Sequence, residues 1–128
     1  MRKLIVAAAL VLVLAAGPAA AVSGPAQVLQ KQLTLLQAGN TRAAYLLFTE
    51  NFRTTCDYET WSGKLGDSRS AFAGLSFRVL TTKIKGGVAK LTYQVKRENK
   101  ILETVRDDVY VKIGGKWYDE LDSVTTCG

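Results

Sequence analysis

Two cysteines, Cys56 and Cys127, and two strand-borne aspartates, Asp107 and Asp119, are the residues of this chain whose types invite chemistry. The cysteines come first. A metal site usually recruits histidine or several cysteines, and the 128 residues contain no histidine. A thiol nucleophile needs a base or a lowered pKa, and neither a histidine nor a Cys-x-x-Cys pair is present. The remaining role is a cross-link, and that depends on compartment.

The first residues supply the compartment. Arg2 and Lys3 precede an uninterrupted apolar run, Leu4 to Ala16, then Gly17-Pro18 and the small residues Ala19-Ala20-Ala21. This is the layout of a secretory signal peptide, residues 1–21, with cleavage after Ala21. Retention as a membrane anchor is the alternative, but the run is short of the roughly 20 apolar residues that span a bilayer. An exported chain with two cysteines reads as one disulfide, Cys56–Cys127, with free thiols or pairing between chains as the alternatives. Residues 22–128 then form one small domain with 15 basic and 11 acidic residues, a net charge of +4. A secreted or extracytoplasmic address at the cell envelope follows.

The elements that must position the aspartates divide into a helical half and a strand-rich half. Ser23 and Pro25 open a helix with Leu29, Leu33 and Leu36 at helical spacing, and Gly39 closes it. Asn40 caps a second helix over "TRAAYLLF". Asp57 starts a third, short helix in which Tyr58, Trp61 and Leu65 share a face. Ser68 to Ala73 is a helical turn or a loop. From Leu75 onward, four segments rich in β-branched and aromatic residues alternate with turns at Gly86-Gly87, Glu98-Asn99-Lys100 and Gly114-Gly115. Helices first and an antiparallel meander second make the class α+β: N-terminal helices packed on a curved four-stranded sheet.

Strand alternation assigns faces. Tyr93 faces inward with Ala89, Leu91 and Val95. In the third strand Val105, Asp107, Val109, Val111 and Ile113 are expected to face in, with Arg106, Asp108, Tyr110 and Lys112 facing out. Burial of Trp117 then requires a three-residue loop after Ile113, which also turns Asp119 inward. Tyr45, Trp61, Tyr93, Asp107, Trp117 and Asp119 are accordingly the expected lining of an interior pocket. One reading makes an aspartate a base beside tyrosine hydroxyls in an apolar pocket. The plainer reading puts both aspartates at strand ends, in water or paired with Lys or Arg, and makes the aromatics ordinary core.

The order of elements resembles the cone-shaped α+β fold of the nuclear transport factor 2 and ketosteroid isomerase superfamily, and more narrowly its small exported actinobacterial proteins. "LLQAGNTRAAYLLFTENFR" is similar to its first two helices, and "VYVKIGGKWYDEL" to its closing hairpin. The resemblance covers the chain from about Ser23 to Thr126. It implies a sheet curled round the helices, often with a pocket at the wide end, and no fixed activity, since that superfamily hosts enzymes, binding modules and dimerisation domains. The acid–base pattern of its isomerases does not map onto this chain, so no catalytic residue is assigned.

Two functions are therefore expected to compete. The first is a non-enzymatic module binding a small apolar ligand or an envelope protein. The second is a cofactor-independent isomerase or dehydratase using a pocket aspartate. An apolar pocket without paired ionisable groups favours the first; an aspartate with a raised pKa within reach of a tyrosine favours the second. No cofactor or metal is expected. Lys90, Lys96, Arg106 and Lys112 are expected on the outer sheet face, as a solvated surface or a weak contact for anionic envelope polymers or lipid headgroups. Nucleic acid is not an expected partner, because the aromatics point inward rather than standing on a basic platform. Either a monomer or a dimer is compatible with that face.

Overall fold

A computed structural model of the chain describes residues 24–121 and Cys127. The expected leader and Ser23 lie outside the described residues. Five helices pack against a four-stranded antiparallel sheet of order β1-β2-β3-β4, an α+β architecture compatible with the expected cone.

Helix α1 (Pro25–Gln37) begins at Gly24 with Pro25 in its first turn, where a missing N–H is harmless. It ends in a left-handed glycine cap. Gly39 has φ +80°, its N–H donates to Leu36, and Asn40 N–H donates to Leu35. Helix α1 buries Leu29, Leu33 and Leu36 on one face, and its polar flank ties it to β1 (Leu75–Lys85). Gln30 Nε2 donates to the Phe77 carbonyl at 3.0 Å, and Gln37 Nε2 donates to the carbonyls of Phe72 and Leu75.

The helix expected over residues 41–48 is shorter. Helix α2 (Thr41–Tyr45), capped by Asn40, stops so that Leu47–Thr49 can pair with the last strand. Asp119 N–H donates to Leu47 at 2.8 Å, and Thr49 N–H donates to Asp119 at 2.9 Å. Thr49 then caps α3 (Glu50–Thr55), Asp57 caps α4 (Tyr58–Leu65) and Asp67 caps the single turn α5 (Ser68–Ala71). Cys56 lies fully buried between α3 and α4 and is bonded to Cys127, with Cα atoms 5.7 Å apart.

Strands β2 (Val88–Arg97), β3 (Lys100–Ile113) and β4 (Lys116–Asp119) complete the meander. Strands β3 and β4 differ from the expected pattern in two linked ways. The last loop has two residues, not three: Ile113 pairs with Lys116 and Lys112 with Trp117. Gly114 and Gly115 both have positive φ, as a tight two-residue hairpin turn requires. Trp117 is nonetheless buried. The reason is a bulge: Leu91 pairs with Asp108 and Tyr93 with Val105, leaving Arg106 and Asp107 together opposite Thr92. Asp107 takes φ +52° and donates its N–H to Thr92 Oγ1. One extra residue exchanges the two faces of everything after it. Asp108, Tyr110 and the Lys112 row therefore belong to the inner face, and Ile113 stands exposed.

The core falls into two clusters. One joins the helices through Tyr45, Phe48, Phe52 and Trp61. The other joins α1 to the sheet through Leu29, Ala89, Leu91, Tyr110 and Trp117.

Candidate functional site

A pocket of about 350 Å³ opens between α1, α4 and the inner face of the sheet. Its walls are apolar: Leu29, Leu33, Leu36, Phe48, Trp61 and Phe77. Its polar groups are Tyr93, Asp108 and Asp119 on the sheet, Gln32 of α1 and Lys64 of α4.

Each is placed by a local feature. The bulge at Arg106-Asp107 turns Asp108 inward. Tyr93 reaches across from β2 and donates its hydroxyl to Asp108 Oδ2 at 3.1 Å; Tyr110 donates to the same oxygen at 3.2 Å. The pairing with Leu47 and Thr49 locks Asp119 at the end of β4, opposite Tyr110 and diagonal to Asp108. Asp119 is only 5 % exposed, and its Oδ1 has no hydrogen-bond partner among the described residues.

Burial sets the electrostatics. It pushes the Asp119 carboxyl well above the usual carboxylate range, and the charge of Asp108 adds to the shift, with Gln32 opposing it weakly. Burial also raises Asp108, but less decisively, because two tyrosine hydroxyls and the Val109 N–H stabilise its carboxylate. The same burial, with the neighbouring carboxylates, pushes the hydroxyls of Tyr93 and Tyr110 far up, so both stay protonated. Two carboxyl groups in one apolar pocket thus share the load of a single negative charge. Of the two, Asp119 is held further toward its protonated form.

Of the six residues expected to line the pocket, Trp61, Tyr93 and Asp119 do so. Tyr45 is buried behind it, its hydroxyl donating to the carbonyls of Cys56 at 2.6 Å and Arg53 at 3.1 Å. Trp117 is buried too, but its accessible edge faces a separate open groove of about 660 Å³ beside Lys31 and Lys116. Asp107 is exposed on the bulge. Its expected place is taken by Asp108, and Tyr110 and Gln32 were likewise not anticipated. The doublet Asp107-Asp108 was the available signal: in a strand, one of two adjacent aspartates faces inward whatever the register. Lys112, expected outside, instead approaches the Trp117 ring at 5.9 Å.

Among the described residues no three His, Cys, Asp or Glu side chains come together as a metal-ligand set. No described helix is long and apolar enough to cross a membrane. No family model, curated protein or solved structure matches the chain.

Proposed function

We propose that the chain is an exported, nuclear transport factor 2-like module that binds a small, largely apolar molecule bearing one hydrogen-bonding group. The observation carrying this reading is the 350 Å³ pocket, acidic on its sheet wall and mostly apolar on its helical walls, where Gln32 and Lys64 are the polar members. That volume is at the small end of ligand pockets, about 300–1,000 Å³. A neutral ligand oxygen suits the Asp119 carboxyl in its protonated form, which burial favours. A ligand hydroxyl or amide N–H suits Asp119 Oδ1, whose burial without a partner is otherwise unfavourable. The disulfide supports the exported half of the reading, since such bonds persist in oxidising compartments.

A second reading has its own support. Two carboxyls side by side in an apolar site, Asp119 held further toward its protonated form than Asp108, are the arrangement used for proton shifts next to a carbonyl. Binding without turnover is preferred because both tyrosine hydroxyls already donate to Asp108 and are not free to hold an enolate. The two readings separate with small cyclic ketones as probes. Binding is followed by calorimetry and α-proton exchange by NMR in deuterated buffer. The expected outcome is saturable binding with no exchange above background, and affinity within a few-fold of the parent for Asp108→Asn. Exchange catalysed by the parent, abolished in Asp108→Asn and retained in Asp107→Asn, would promote the isomerase reading.

A further inference from the structure

We propose that the sheet end formed by the two glycine turns, Gly86-Gly87 and Gly114-Gly115, is a tip that docks this protein onto an anionic lipid surface. The strand order brings the turns side by side: Val88 pairs with Val111, and Lys112 N–H donates to the Gly87 carbonyl at 2.8 Å. Around them stand Ile84 at 55 %, Ile113 at 54 % and Val88 at 43 % exposed. Ile84 is opposite Ala89, which is fully buried in the cluster with Leu29 of α1, yet Ile84 itself lies open. Ile84 stands on the inner face and Val88 and Ile113 on the outer, so this end is apolar on both sides, whereas Ile101 and Leu102, exposed at the far end, stand beside Glu98 and Glu103. Large apolar groups exposed together mark an interaction site.

The charge around them selects the partner. Segments 81–91 and 109–118 contain Lys83, Lys85, Lys90, Lys112 and Lys116, and no acidic residue. Lysine stems lie along apolar surface while their ammonium groups reach outward, the disposition that suits the boundary between acyl chains and headgroups. A soluble polyanion would use the lysines and leave the isoleucines in water. A second copy of the chain would set lysine rows against each other. A bilayer of anionic lipid satisfies both sets, with the isoleucines inserted and the lysines at the phosphates. Phe77 of the pocket lies toward the opposite end of β1 from Ile84.

The test is vesicle co-sedimentation of the exported protein, its N-terminus verified by mass spectrometry, with phosphatidylcholine alone or mixed with phosphatidylglycerol. The parent should bind the anionic vesicles at least tenfold more tightly, and less tightly as salt rises. Lys85→Gln with Lys116→Gln should weaken binding by about fivefold per lysine. Ile84→Ser with Ile113→Ser, both at exposed positions, should weaken it about tenfold or more. Lys96→Gln with Lys100→Gln, at the far end of the sheet, should stay within twofold. Three results each overturn the proposal: no binding by the parent, an equal loss in the far-end pair, or undiminished binding by the isoleucine pair. The last would indicate a purely electrostatic contact with polyanions.

Discussion

Asp119 is held where an ionised carboxylate is disfavoured, and this makes it the residue with the clearest pH signature. Its folded pKa is raised above the unfolded value of about 3.9, so the folded state binds the proton more tightly than the unfolded chain does. That contribution to stability is complete below about pH 4 and is lost as pH rises through the raised value. Asp119→Asn keeps the neutral shape without the titration. The variant should therefore melt higher than the parent at neutral pH, and the difference should shrink toward pH 4. Thermal melts across that range check this; parallel pH profiles for the two proteins would contradict it. Asp108 interacts with Asp119, so the difference between the two proteins reports Asp119 together with that interaction. The neighbouring Asp107 carries a different constraint, a positive φ that aspartate tolerates and a β-branched residue does not. Asp107→Val should destabilise the fold by about 1–2 kcal/mol, measured by urea unfolding, while Asp107→Gly should be close to neutral.

The elements were largely legible because each carries its own local punctuation. Pro25, Gly39, Asn40, Asp57 and the two Gly-Gly pairs stand at element boundaries in the folded chain as they do in the sequence pattern. What alternation could not supply was the bulge, since nothing in "TVRDDVYVKI" states that Arg106 and Asp107 share one partner. Missing it placed Asp107 inside and Asp108 outside, and it also forced the assumption of a three-residue final loop. The two errors cancel at Trp117, which is buried by a two-residue loop on a face the bulge has exchanged. Similarly, the break between α2 and α3 depends on a pairing with Asp119, some seventy residues away in sequence, which no local window contains. Trp117→Ala should cost about 3–5 kcal/mol, because the indole fills the space between α1 and the sheet beside Leu29. A variant melting within a degree or two of the parent would contradict that packing.

At the scale of the whole molecule, a small domain is closed by one covalent clamp. The Cys56–Cys127 bond spans 71 residues, and closing such a loop disfavours the unfolded chain by about 4 kcal/mol in the entropy description. Reduction should therefore lower the melting temperature markedly, read by calorimetry with and without reductant; an unchanged melt would mean that packing alone fixes the C-terminus. The clamp ties the chain end to the helical cluster that backs the pocket, since both cysteines contact it. The chain contains a built-in reporter for the pocket. Of its two tryptophans, Trp61 lines the pocket and Trp117 does not. Titration of the protein with a panel of small neutral ketones and alcohols, followed through the two indole N–H signals by NMR, tests the claim directly. The expected result is saturable movement of the Trp61 signal with the Trp117 signal still, and loss of that movement when Leu33→Trp fills the pocket. Movement of Trp117 alone, or of neither signal across the panel, would contradict it.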